Sequence, residues 1–164
     1  MKRMRDRNRG LALALLWLAL LVPALASARD LRTCVRVVDG DTIVLDGGER
    51  VRLIGVDTPE LHHPAKPVQY FAHEAKARTV TLAQGRRVGL EYDHQRRDRY
   101  GRTLAYVFLP DGTLLNLRLI EEGYGFAYTK YPFRADYMAR FRAAEREARA
   151  RSNGLWAGRE YRDR

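Results

Sequence analysis

The sequence predicts an α+β domain over residues 29–164, built as a small closed barrel of five short strands with three helices. Three observations predict it. Five short runs alternate apolar with polar residues, the period of a half-buried strand. Turn dipeptides separate the first three runs, so those strands form a meander. Helix-period stretches occur once after the third run and twice at the end. Strands this short would leave exposed edges in an open sheet, and closure removes them.

Val35, Val37, Ile43 and Leu45 flank Asp39-Gly40, the Asp-Gly signature of a hairpin. Asp46-Gly47-Gly48 makes a second turn into a strand over 49–56. Phe71, Ala75, Thr79 and Leu82 space a helix over 67–84, with Gly85 as its stop. Val88, Leu90 and Tyr92 alternate as a fourth strand. After a polar loop from Asp93 to Arg102, Leu104, Tyr106 and Phe108 form a fifth, closed by Pro110-Asp111-Gly112. Asn116 reads as the N-cap of a short helix ending at Gly123. The last helix, over 134–151, sets Tyr137, Phe141, Ala144 and Ala148 on one face and arginines in its final turn, where they suit the helix dipole. No repeat, Pro/Ser-rich linker or low-complexity tract interrupts residues 29–164.

Residues 1–28 stand apart. Lys2, Arg3, Arg5, Arg7 and Arg9 precede an apolar run of 12 residues, Leu11 to Val22, and Ala26-Ser27-Ala28 follows. That is the pattern of a secretory signal peptide cut after Ala28, and the run is too short to span a membrane as a helix. The expected protein is exported, periplasmic or secreted, with no membrane span once mature. Removing five basic residues and Asp6 lowers the net charge from +10 to +6. That sign favours polyanionic partners, nucleic acid or anionic membrane surfaces. Cys34 is the only cysteine, so no disulfide forms within the chain; it reads as a small strand residue. Arg32 and Thr33 before it exclude a lipidation box.

Three polar spots carry candidate chemistry. Asp39-Gly40-Asp41-Thr42, taken alone, is first of all a turn. Asp57 and Glu60 follow an apolar strand bearing Arg52, and Thr58-Pro59 stiffens the backbone between them. A rigid acidic turn is what a metal site needs, since ligands must be held in place beforehand. The third spot is Arg96-Arg97-Asp98-Arg99-Tyr100-Gly101-Arg102. Arginine grips phosphate through a planar fork, and Tyr100 can stack on a base or sugar. Arg96 and Arg97 read equally as a solvated basic loop.

In order and spacing the three spots resemble the staphylococcal nuclease (thermonuclease) family. The resemblance rests on Asp39 to Thr42, on Arg52 to Glu60 (RLIGVDTPE), and on Asp98-Arg99-Tyr100-Gly101-Arg102 before Thr103 to Tyr106. Asn116, Glu122-Gly123, Ala127-Tyr128 and Gly154-Leu155-Trp156 extend it. It implies an OB-type five-stranded barrel with three helices and a Ca²⁺-dependent phosphodiesterase acting on DNA and RNA. By that resemblance Asp41 and Asp57 bind calcium through carboxylates and Thr58 through its carbonyl. Glu60 is the general base on the attacking water, and Arg52 and Arg102 hold the scissile phosphate. Tyr100 and Tyr128 flank the nucleotide, Arg99 approaches a terminal phosphate, and Asp39 stands behind the metal ligands. No stable protein partner is implied, and a monomer is expected.

The residue chemistry agrees with that expectation. An oxygen-only donor set suits Ca²⁺ or Mg²⁺ and not zinc. Calcium is plentiful outside the cytoplasm, so an exported site can bind it weakly. Departures lie at Leu61 to Pro67, where His62 and His63 read as loop residues and not as metal ligands, and at Tyr128-Thr129-Lys130-Tyr131, whose aromatics are spaced more widely than the family's pair. Two rival readings remain, a catalytically inactive OB-fold that only binds nucleic acid and a polybasic domain docking on anionic membrane. The complete set of Asp41, Arg52, Asp57, Glu60 and Arg102 speaks against the first, and the second gives that acidic cluster no purpose.

Overall fold

A computed structural model describes residues 29–61 and 67–162. The 1–28 leader and the His62-His63 loop lie outside the described residues. Five strands close a barrel in the order β1-β2-β3-β6-β5, with β1 spanning Asp30–Asp39, β2 Thr42–Leu45, β3 Arg50–Leu53, β5 Arg87–Glu91 and β6 Thr103–Phe108. All neighbours are antiparallel except β3 and β6. The interior is filled by side chains such as Ile43, Leu45, Val51, Leu53, Leu90 and Tyr106, none more than 2 % exposed. Burying each such side chain contributes about 1.5–3 kcal/mol, and this core replaces the disulfides the chain lacks.

Three helices of two turns or more, α1 (Ala72–Ala83), α2 (Leu115–Glu121) and α3 (Ala135–Ala150), pack outside the barrel, and a single turn, α4 (Arg159–Arg162), closes the C-terminal end. The expected OB-type α+β architecture is the observed one. Details differ. The strand expected over 49–56 breaks at Ile54-Gly55, because Gly55 adopts φ +73 and a Cβ there would lie 2.6 Å from the Phe133 ring. Its far end becomes β4 (Val56–Asp57), paired with β7 (Phe126–Ala127) outside the barrel. The first helix begins at Ala72, five residues later than expected, since Phe71 sits in the left-handed region.

Asn116 is not an N-cap. It lies inside α2, fully buried, and its amide donates to Ile54 O at 2.9 Å while its carbonyl accepts from Val107 N at 2.9 Å. Strand-breaking at residue 54 leaves a carbonyl needing a donor, and a buried amide supplies it. The Asn side chain thus ties the β3–β4 turn to the barrel.

Candidate active site

Strand register assembles the site. Antiparallel pairing sets Thr42 opposite Arg52, and parallel pairing sets Arg52 opposite Leu104. Asp41 and Arg102, each one or two residues outside those partners, are therefore delivered to the same rim of the barrel as Arg52. The break at Gly55 then turns Asp57, Thr58 and Glu60 back across that rim. All ten residues expected from the sequence (Asp39, Asp41, Arg52, Asp57, Thr58, Glu60, Arg99, Tyr100, Arg102 and Tyr128) line one cleft of about 590 Å³.

Buried hydrogen bonds hold the acidic turn. Asp41, 6 % exposed, accepts from Thr58 N at 2.8 Å and Thr58 Oγ1 at 3.1 Å through one oxygen, and from Thr42 Oγ1 at 3.0 Å through the other. Gly40 makes the approach possible, because a Cβ at that position would come within 2.8 Å of Thr58 Oγ1. Thr79 of α1 donates to Gly40 O at 2.6 Å, fixing the β1–β2 turn from the other side. Glu60, exposed, is anchored by its backbone through reciprocal bonds with Gln69, 3.0 Å to the Gln69 side chain and 3.1 Å to its N–H.

Arg52 sits at the centre. One guanidinium nitrogen donates to Asp57 Oδ1 at 2.8 Å and lies 3.2 Å from Asp41 Oδ2. The other donates to the carbonyls of Leu53, at 3.1 Å, and Val56. Burial pushes the Asp57 carboxyl up to about 6; the charges of Asp41 and Glu60 add to this, against Arg52 and Arg102. Burial thus outweighs the two guanidiniums, and the carboxylates crowded nearby add to it. A divalent cation would relieve that crowding. Asp41 and Asp57 offer carboxylate oxygens alone, the donor type that fits Ca²⁺ or Mg²⁺. Among the described residues, no three His, Cys, Asp or Glu side chains group to hold a metal by themselves. Such an ion would keep open positions for water and a phosphate oxygen.

Across the cleft, Arg102 is positioned by Asp98, which the sequence reading did not single out. Asp98 Oδ2 accepts from Arg102 Nε at 2.7 Å, and Oδ1 accepts from the backbone N–H of Arg102 and of Tyr100 at 3.0 and 2.9 Å. Burial pushes the Asp98 carboxyl up, but the Arg102 bonds outweigh it and hold it below the usual range. An Asp bonding the N–H two residues on is an Asx turn, and Asp-x-Tyr-Gly was the signal that could have found it. Only one edge of the Arg102 fork is occupied by Asp98. Tyr100 stands 67 % exposed, with the Arg99 guanidinium 4.8 Å from its ring centre. Tyr131, left unassigned from sequence, joins Tyr128 edge to face at 5.9 Å and lines the same cleft.

A barrel rim that gathers crowded carboxylates beside two arginines, with exposed aromatics around them, defines a phosphodiester hydrolase of the nuclease class. Comparison with known proteins agrees. Residues 50–158, well over half the chain, match the family described as Staphylococcal nuclease homologue. The chain is 44% identical over 124 residues to a Thermonuclease of Staphylococcus intermedius, covering 74% of this chain and 73% of that one. It is 40% identical over 126 residues to a Thermonuclease of Staphylococcus hyicus, covering 75% and 73%. It is 37% identical over 129 residues to Endonuclease YncB of Bacillus subtilis (strain 168), covering 76% and 61%. The chain belongs to the staphylococcal nuclease family.

Proposed function

We propose that this nuclease is an exported, Ca²⁺-dependent phosphodiesterase that hydrolyses DNA and RNA with little sequence specificity. The observation that carries the reading is the convergence of Asp41, Asp57 and Glu60 with Arg52 and Arg102 on one cleft. In this reading Asp41, Asp57 and the Thr58 carbonyl hold the ion, with Asp39 adding negative charge behind them. An ion held there would supply Lewis-acid polarisation of the phosphate and acidify water nearby. Glu60 accepts the proton of the attacking water, a role its exposed carboxylate and braced backbone suit. Arg52 and Arg102 donate to the non-bridging phosphate oxygens as charge builds there. Tyr100 and Tyr128 present ring faces that stack on any base, which supports low sequence specificity. Arg99, lying beside Tyr100, suits a phosphate at the strand end.

The test is digestion of single-stranded DNA, duplex DNA and RNA with Ca²⁺, with Mg²⁺ and with a chelator. Cleavage of all three with Ca²⁺ alone is expected. No cleavage in any condition, with salt-sensitive binding retained, would assign the chain to the nucleic-acid-binding modules instead. Export is tested separately by N-terminal sequencing of protein recovered outside the cytoplasm, where a start at Met1 refutes cleavage after Ala28.

A further inference from the structure

A second groove, of about 470 Å³, lies behind the 93–102 loop. Tyr100 and Arg102 line both it and the active cleft, so the two are continuous across those side chains. Its other walls are Arg50, Arg97, Glu49 and the Gly47-Gly48 turn. β3 explains the arrangement: residues two apart on a strand share a face, so Arg52 points to the cleft while Arg50 serves the groove on the same side of the barrel. The groove's one carboxylate is engaged, since Glu49 accepts from Thr103 Oγ1 at 2.6 Å and from Arg32 at 3.0 Å. Arg50 is exposed and pairs with no carboxylate among the described residues. Among the described residues, the Arg97 side chain donates only to the Gly101 carbonyl, at 3.2 Å. At Gly48 even a Cβ would meet nothing within 4 Å, which leaves room for a sugar or a phosphate.

We propose that the polynucleotide strand runs from the active cleft over Tyr100 and Arg102 into this groove, where Arg50 and Arg97 bind phosphates beyond the scissile one. The groove takes a single-stranded, phosphate-bearing chain; it makes no chemistry of its own and favours long substrates over short ones. This rests on the nuclease reading of the cleft.

The test compares the full wild-type chain with Arg50→Gln and with the Arg50→Gln/Arg97→Gln pair. Two probes are used, a long labelled oligothymidylate and a thymidylate nitrophenyl ester too short to reach the groove. Each phosphate contact on a single strand contributes about 0.7 to the slope of log affinity against log salt. Oligothymidylate slopes, measured in chelator, should therefore fall by about 0.7 in the single variant and about 1.4 in the pair. Between roughly 50 and 200 mM salt the wild type should lose about sevenfold more affinity than the pair. Turnover of the short ester should stay at the wild-type level. An unchanged slope in Arg50→Gln overturns the proposal, as does an equal loss on the short ester, which would place these arginines in the cleft's own support. If the wild type cleaves neither probe, the nuclease reading fails, while the binding slopes still judge the groove.

Discussion

Replacing Arg52 with lysine keeps the charge and removes the fork, which separates two jobs the side chain performs. Its guanidinium serves four acceptors: Asp57 at 2.8 Å, Asp41 at 3.2 Å, and the carbonyls of Leu53 and Val56. The side chain is 14% exposed, so solvent does little to screen these contacts. An ammonium at a single point, on a shorter stem, keeps about half of them. Charge-assisted bonds contribute about 1.5–3 kcal/mol each, and water re-engages part of what is released, so a stability loss of about 2–3 kcal/mol is expected. For a domain of this size that lowers Tm by about 10 °C. Loss of a donor aimed at developing negative charge should reduce kcat by about 10²–10³. Thermal unfolding and kcat at saturating Ca²⁺, well below the new Tm, read the two effects separately. If Tm falls while kcat stays within about tenfold of wild type, Arg52 is a brace for the β3–β4 turn and not a phosphate clamp.

Under the proposed function, the same geometry would couple ion and phosphate. Asp41 and Asp57 both engage Arg52, and a cation sharing those carboxylates would release the guanidinium to phosphate. Thymidylate should therefore bind more tightly with Ca²⁺ than without, and the ion should gain equally from the nucleotide. In Arg52→Lys that mutual gain should shrink; calorimetry showing it unchanged would break the link between the carboxylates and Arg52.

Glu60→Gln keeps the shape and backbone anchoring of Glu60 but removes the proton acceptor, so turnover should fall by about 10²–10⁴ with nucleotide affinity nearly intact; an equal loss of binding would make Glu60 a shaping residue. Asp93 accepts from Tyr106 OH at 2.5 Å, His94 N at 2.7 Å and Arg134 N at 2.9 Å. Burial pushes its carboxyl up, but these donors outweigh that and hold it well below the usual range. Its contribution is therefore fully present above the unfolded carboxyl pKa of about 4 and lost as pH falls below it. Asp93→Asn should cost about 2 kcal/mol at neutral pH, and urea titrations should show the gap to wild type closing in acid; a constant gap would contradict the ionic origin. Gly55→Ala places a Cβ 2.6 Å from Phe133 and 2.7 Å from Phe141 at φ +73, and should destabilise by about 2–4 kcal/mol in urea unfolding. Because Gly55 sets the angle between Arg52 and Asp57, activity measured on the folded fraction should fall with it.

The barrel was legible because its signals are local. Asp39-Gly40 and Asp46-Gly47-Gly48 announce tight turns, and β2 and β3 follow them closely. What was not legible depends on partners far along the chain. The break at Ile54-Gly55 looks, in sequence, like an ordinary strand interior; only the rings of Phe133 and Phe141 packed against it make the glycine obligatory. Asn116 before an apolar helix reads as a cap by every local rule, yet its donors go to Ile54, 62 residues earlier.

Convergence of the site is the sharper case. Asp41, Arg52 and Arg102 carry no mark of proximity in the sequence, because the parallel pairing of β3 with β6 is set by barrel closure and not by any turn between them. The resemblance to a family supplied what spacing could not. Register then accounts for it physically. A slip of one residue between β3 and β6 would turn Arg52 into the core and bring Val51 to the rim, which the burial of Val51 and Leu53 forbids. The same apolar alternation that stabilises the barrel therefore aims its arginines, and a variant that repacks Val51 or Leu53 should damage the site without touching any residue in it.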